Sequence, residues 1–136
     1  MARKTLQQRG IKTKRKAILY QDKNRIAPIM DALIGVEDPD DIMTEILEVL
    51  KDVEQIPNVG NYYTFIYKPK TENIQYDEFP LVAVTQVFQW GFKGINFHWE
   101  SSRSYTWNDL VGNLYVVRPE ELEDLRTLSY GKIKFS

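Results

Sequence analysis

His98 is the only histidine in the chain and the first residue to consider for catalysis. Hydrolysis by a catalytic triad needs a histidine between a nucleophile and an orienting acid. Ser101, Ser102, Ser104 and Asp109 lie nearby in sequence, but no nucleophile-elbow motif surrounds the serines. If His98 and Glu100 alternate onto one strand face they supply two metal ligands, too few for a site. We expect a structural histidine near a strand end.

Two other patterns resemble functional sites without matching one. The acids Glu37, Asp38, Asp40 and Asp41 do not have calcium-loop spacing, and helix capping explains them better. Gly91, Gly94 and Gly112 lack the strand-to-helix context of a phosphate loop. The sequence therefore predicts no catalytic residue, metal ligand, cofactor or small-molecule substrate, and we expect a protein that is not an enzyme.

Charge is divided very unevenly along the chain. Residues 1–26 hold nine basic residues and one acid, a balance of +8, whereas residues 27–136 hold nine basic and eighteen acidic residues, a balance of −9. The first twenty residues also have too few apolar groups to offset their ordering entropy. We therefore predict a basic arm over residues 1–26 with a partner of its own.

The arm supplies the candidate binding residues. Its cations would meet an acidic or phosphate-bearing partner, and its apolar residues would anchor it in a groove. These candidates are Arg3, Lys4, Leu6, Arg9, Ile11, Lys12, Lys14, Arg15, Lys16, Ile18 and Leu19. One partner is the acidic groove of a neighbouring protein subunit, which the interleaved apolar residues favour slightly. The alternative is DNA, whose phosphates the lysines and arginines would neutralise.

Residues 62–107 are rich in aromatic side chains. Among them are Tyr62, Tyr63, Phe65, Tyr67, Phe88, Trp90, Phe92, Phe97, Trp99, Tyr105 and Trp107. Barrels that bind single-stranded nucleic acid stack bases on exposed aromatic rings within a basic groove. Residues 60–110 contain only four basic residues, so a core with an adjoining protein interface is the better interpretation.

Length and composition set the remaining bounds. A chain of 136 residues, 43% hydrophobic and 27% charged, has room for one globular domain. It contains no cysteine, which excludes disulfides and thiolate metal sites. No apolar run approaches the length of about 20 residues needed to span a membrane, and no membrane partner is expected.

The pattern of elements predicts an α+β fold. A helix is expected over residues 40–55, after a first helix that begins near Ala27 and ends at Gly35. Strands are expected over residues 62–67, on both sides of a hairpin around Trp90 and Gly91, and over residues 114–117. A short helix over 119–128 and a strand over 132–135 complete one domain, residues 27–136. We expect the helices to pack on a small antiparallel sheet curled into a barrel.

Three stretches carry a family resemblance. They are Tyr63-Thr64-Phe65-Ile66-Tyr67-Lys68-Pro69-Lys70-Thr71, then Tyr76-Asp77-Glu78-Phe79-Pro80-Leu81-Val82, then Gly91-Phe92-Lys93-Gly94-Ile95-Asn96-Phe97-His98-Trp99. Over residues 62–99 the chain resembles small virion or morphogenesis proteins of contractile-tailed bacteriophages, including cyanophages, although Trp99 replaces another aromatic residue. The resemblance implies a structural component of the virion, assembled in the bacterial host cytoplasm. Tail or baseplate is the expected position, with other virion proteins as partners.

Overall fold

A computed structural model describes residues 23–135 as helices packed on antiparallel β-structure, which confirms the α+β class. The helices are α1 (Met30–Leu33), α2 (Pro39–Val49) and α3 (Leu122–Thr127). The strands are β1 (Val53–Glu54), β2 (Tyr62–Tyr67), β3 (Gln75–Asp77), β4 (Leu81–Val87), β5 (Gly91–Asn96), β6 (Ser101–Thr106), β7 (Leu110–Val117) and β8 (Ile133–Phe135). Single 3₁₀ turns cover Ala27–Ile29, Trp107–Asp109 and Pro119–Glu121.

Helix α2 begins where the sequence predicts and ends earlier. The Asp38 carboxylate accepts a hydrogen bond from the Asp40 amide at 2.9 Å, and Pro39 occupies the first helical position. The predicted helix over 40–55 stops at Val49, because the next backbone groups pair with β7 instead. Val53 pairs with Tyr115 across β1 and β7, so this sheet contact replaces the last turn and a half of the predicted helix.

The main sheet has six antiparallel strands in the order β1-β7-β2-β4-β5-β6. Within residues 23–135, β6 pairs only with β5 and β1 only with β7. The predicted barrel is therefore wrong, since the edge strands do not meet and the sheet stays open. Strand β8 pairs with β3 in a separate two-stranded sheet and leaves the main sheet unclosed.

The β4–β5 hairpin is confirmed, and it needs two glycines. The Phe88 amide donates to the Gly91 carbonyl at 2.7 Å across the turn. A Cβ on Gly91 would lie 1.9 Å from the Tyr105 carbonyl oxygen, and one on Gly94 2.6 Å from that of Ala83. Close approach of neighbouring strands therefore accounts for both glycines. Strand β6 is rich in serine, and its sequence gives little sign of a strand.

Each face of the sheet covers its own core. On the helical side, α2 packs with the first residues described, the C-terminal helix and one side of the sheet; the buried members are Ile26, Leu33, Ile42, Met43, Ile46, Leu50, Phe79, Leu81, Val117, Leu125, Leu128 and Tyr130. On the opposite side a second core contains Tyr63, Phe65, Tyr67, Val82, Val84, Phe92, Tyr105 and Leu114. Helix α2 is therefore fixed against the sheet along its apolar face.

Candidate docking surfaces

All eleven arm residues named as partner-binding candidates fall within residues 1–22 and lie outside the described part of the chain. The last residues of the predicted arm are described. Asn24 and Ile26 are buried and Arg25 is largely covered. The folded body thus extends back to Asn24, three residues before the boundary expected at 27.

Asn24 ties this entry segment to α3. Its Oδ1 accepts from the amides of Ile26 and Ala27, at 3.0 and 2.9 Å. Its Nδ2 donates to the Glu120 carbonyl and to the Asp124 carboxylate, each at 2.9 Å. One side chain therefore shapes the local turn and joins it to residues almost a hundred positions away.

Arg25 forms the second tie. Its Nε and one terminal nitrogen donate to the two oxygens of Glu121 at 2.9 and 2.8 Å. The same guanidinium reaches the Val116 carbonyl at 3.0 Å and Asp52 at 3.2 Å. The Glu121 hydrogen bond raises the pKa of Arg25, and the charges of Glu121 and Asp52 add to it against the effect of burial. Arg25 is therefore engaged within the body, although the sequence groups it with the arm's cations.

Placing Lys23 and Arg25 in the folded body moves the boundary between the basic and the acidic parts of the chain. Residues 1–22 carry seven basic residues and one acid, +6, and residues 23–136 carry eleven basic and eighteen acidic residues, −7. The two sum to the net charge of −1. The net positive charge of the arm thus lies before residue 23, and the body that follows is acidic.

An acidic groove lies between α1 and α2. Its volume is about 490 Å³, and it is lined by Ile29, Ala32, Leu33, Val36, Asp41, Thr44 and Glu45. Leu33 is buried and the Asp41 and Glu45 side chains are exposed. Apolar residues and two carboxylates therefore border the same groove.

An apolar cleft lies beside the second core, against which Trp107 and Leu110 of its lining pack. It has a volume of about 650 Å³ and is lined by Gln55, Ile56, Val87, Phe88, Gln89, Trp107, Leu110, Gly112 and Asn113. Ile56 is 68% exposed. Beside the cleft the Phe88 and Trp90 rings stack with centroids 5.0 Å apart, and Trp90 is 46% exposed.

The structure divides the aromatic set into core and surface. Tyr63, Phe65, Tyr67, Phe92 and Tyr105 are buried together. Trp90 and Trp99 are exposed, and the remaining four, Tyr62, Phe88, Phe97 and Trp107, are half-buried. The core half of the expectation is seen directly, and Trp90 is the exposed ring of this set at the β4–β5 turn.

A buried polar cluster adjoins the second core at Tyr105, and the sequence did not predict it. The Asp77 carboxylate accepts from the Phe79 amide and from Asn96 Nδ2, each at 3.1 Å. Asn96 Nδ2 also donates to the Tyr105 hydroxyl at 3.2 Å. Burial raises the pKa of Asp77 to about 6, against the lowering effect of the hydrogen bonds from Asn96 and Phe79 and of the Arg103 charge. The cluster joins β3, β5 and β6.

His98 lies in the turn after β5, so the expected alternation of His98 and Glu100 on a strand face is wrong. Its ring packs edge-on against Tyr130 with centroids 4.6 Å apart, and Nε2 donates to the Leu125 carbonyl at 3.2 Å. Burial lowers the pKa of His98. Gly131 lies so close that a Cβ there would be 2.4 Å from the ring. These contacts give His98 a structural role at a covered position.

The acids before α2 have simple roles. Asp38 caps the helix, and Asp40 and Asp41 lie in its first turn, where carboxylates stabilise the helix dipole. Over residues 23–135, no group of three or more His, Cys, Asp or Glu side chains is placed to hold a metal ion. No helix in that range is long and apolar enough to span a membrane.

No protein-family model, no curated protein and no solved structure matches this chain.

Proposed function

We propose that the chain is a structural component of a tailed-phage virion, in the tail or baseplate, that docks on neighbouring virion proteins through its basic N-terminal arm. It would be assembled in the bacterial host cytoplasm and act without catalysis. The observation that carries this proposal is the anchoring of the arm at Asn24 and Arg25. A segment of +6 charge is joined to the folded body at a point held by partly buried hydrogen bonds.

Rigid anchoring matters for a protein that works by docking. An arm joined to the body through a loose linker would bind its partner without orienting the body. Here the Asn24 and Arg25 contacts fix where the arm leaves, beside α3 and the end of α2. Arm binding would therefore set the position of the whole body relative to its neighbour.

The body also offers a second surface. The apolar cleft and the adjacent Phe88–Trp90 pair expose large apolar side chains next to one another. Patches of this kind on a soluble body often mark protein interfaces. An arm and a cleft on one small body would allow contact with two neighbours, as particle assembly requires.

The phage assignment comes from the resemblance over residues 62–99. This range covers β2, β4 and β5, three adjacent strands of the main sheet, together with β3 of the small sheet. Many residues of the shared pattern are buried, among them Tyr63, Phe65, Phe92 and Asn96. The resemblance therefore supports a shared body, and the docking surfaces must be tested separately.

Deleting residues 2–20 tests the proposal. The deletion keeps Asn24 and Arg25, so we expect the body to fold and its abundance in purified phage particles, measured by quantitative mass spectrometry, to fall sharply. A matched control replaces two exposed body lysines, Lys51→Gln and Lys70→Gln, and should be incorporated normally. Normal incorporation of the deleted chain would show that the arm is not the docking element.

The same +6 segment favours one alternative, a nucleic-acid-associated phage protein whose arm lies on DNA phosphates. Binding to duplex DNA then falls steeply with added salt, because each phosphate contact releases counterions. Titrating the isolated chain with duplex DNA at several salt concentrations tests this alternative. Absence of binding at low salt would eliminate it.

A further inference from the structure

The N-terminal segment leaves the body beside the C-terminal end of α2. Arg25 reaches Asp52, three residues after that helix, at 3.2 Å. The Lys23 carbonyl accepts from Arg118 at 3.4 Å, and the Arg118 guanidinium also lies 3.8 Å from Asp52. Lys23, to which residues 1–22 are joined, therefore lies close to the C-terminal end of α2.

An acidic stripe runs along α2 from that end. Asp41, Glu45 and Glu48 occupy positions i, i+4 and i+7, which share one face of a helix. All three are exposed, and none forms an ion pair with another residue in the range 23–135. The stripe is about 10 Å long at 1.5 Å per residue.

The stripe borders the acidic groove. Asp41 and Glu45 line one side, and Ile29, Leu33 and Val36 supply its apolar part. A ligand that fits this surface has cations at close intervals and aliphatic side chains beside them. A basic amphipathic peptide meets both requirements, whereas DNA would meet repulsion from the carboxylates.

We propose that residues 11–19 of the same chain dock on this acidic groove when the protein is free in solution. This stretch contains Lys12, Lys14, Arg15 and Lys16, flanked by Ile11, Ile18 and Leu19. The cations face the Asp41–Glu48 stripe, and the aliphatic side chains enter the groove beside Leu33. The proposal goes beyond the proposed function, because it concerns the isolated chain and needs no particle.

The connection is long enough. Lys23 is twelve residues from Ile11, and an extended chain spans up to about 3.5 Å per residue, or roughly 40 Å. Asp41 lies eleven residues before Asp52, of which eight are within α2 and three are extended, so the two residues are at most about 23 Å apart. A short tether also gives the segment an effective concentration on the order of millimolar at its own groove. At micromolar protein concentrations, the segment therefore binds the groove of its own chain in preference to the groove of a second copy.

The chain contains no cysteine, so a Thr13→Cys substitution provides a unique site for a spin label. In ¹⁵N-labelled protein we expect the label to reduce the amide signal intensities of residues 29–36 and 41–48, and reduction of the label to restore them. The double variant Asp41→Asn with Glu45→Lys should lose most of this broadening. So should 1 M salt, where the Debye length is about 3 Å.

Glu72→Lys is the matched control, because Glu72 is exposed and lies in the loop before β3, away from the lining of the groove. It should leave the broadening unchanged. Broadening that persists in the double variant, or that is absent from residues 29–48 of the parent, would overturn the proposal. Docking on a second copy is tested with a mixture of two proteins, one spin-labelled at natural isotope abundance and one ¹⁵N-labelled without a spin label. Broadening in that mixture at micromolar concentration would also overturn the proposal. These measurements use the isolated chain, so their failure is distinguishable from failure of the incorporation experiment.

Discussion

The Arg25 guanidinium holds the Glu121 carboxylate through two parallel N–H···O bonds of 2.9 and 2.8 Å, and Glu121 is fully buried. The amides of Arg25 and Arg118 donate to the same carboxylate at 2.7 and 2.8 Å. A buried carboxylate with four such donors is well compensated. The pair joins the start of the described chain to its C-terminal helix.

Removing the Arg25 guanidinium should therefore destabilise the fold. Arg25→Met leaves Glu121 buried without its counter-ion, and we expect the free energy of unfolding to fall by about 3–5 kcal/mol. Urea denaturation measures this change. Glu123→Gln, in the same region but 85% exposed, serves as control and should change stability by less than about 0.5 kcal/mol. Equal effects of the two substitutions would contradict the anchoring role of Arg25.

Asp77 should make stability depend on pH. Burial raises its pKa from 3.8 to about 6. A carboxyl whose pKa is raised by folding stabilises the fold below pH 4, and this contribution is lost as pH rises through 6. Each unit of difference between the folded and unfolded pKa corresponds to about 1.36 kcal/mol, so ionisation of Asp77 lowers the free energy of unfolding by about 3 kcal/mol. Asp77→Asn cannot ionise, so its stability relative to the parent should rise by that amount between pH 4 and 7.

Denaturant titrations at several pH values test the Asp77 prediction. Asp31→Asn changes an exposed carboxylate and serves as control; its free energy of unfolding should differ from that of the parent by less than about 0.5 kcal/mol. A flat difference for Asp77→Asn across the same range would show that the buried carboxyl does not titrate there.

His98 should titrate in the opposite sense. Burial lowers its pKa below 6.5, so the neutral ring is the form that folding favours. This contribution to stability is present above pH 6.5 and is lost as pH falls through the folded-state pKa. As the only histidine, His98 gives a single ring-proton titration by NMR. Its midpoint should lie below that of the urea-unfolded chain, and a higher midpoint would contradict the buried position.

Gly94→Ala should destabilise the sheet. The added Cβ would lie 2.1 Å from a Val82 methyl and 2.6 Å from the Ala83 carbonyl oxygen. The carbonyl belongs to the paired strand β4 and cannot move freely, so we expect a loss of about 1–3 kcal/mol or more. Ser104→Ala, exposed on β6, should cost less than about 0.5 kcal/mol in the same thermal or chemical denaturation.

The apolar cleft provides a prediction about assembly. Ile56 is 68% exposed, so Ile56→Ser should change the free energy of unfolding by less than about 0.5 kcal/mol. If the cleft docks a neighbour, the same substitution should reduce incorporation into purified particles. Val59→Ser is the control, because Val59 is 62% exposed but does not line the cleft. Equal incorporation of both variants would exclude the cleft as an interface.

Local patterns determined the elements that depend on near neighbours. The apolar period of Ile42, Met43 and Ile46, together with Asp40 and Asp41 after Pro39, is enough to predict the beginning of α2. The structure adds that Asp38 supplies the cap. The aromatic run of β2 and the glycine turn between β4 and β5 are local in the same sense. Strand β6 was missed because its serines have weak strand preference and its order comes from pairing with β5.

Of the candidate surfaces, the sequence alone determined the charge division between a basic N-terminal segment and an acidic body. Tertiary structure decided that Arg25 belongs to the body, that α2 ends at Val49, and that the sheet stays open. Each of these depends on partners far apart in the chain, such as Arg25 with Glu121, which are 96 residues apart. Periodicity reports which backbone groups bond to near neighbours, and it does not specify which distant carboxylate or strand edge a residue will meet.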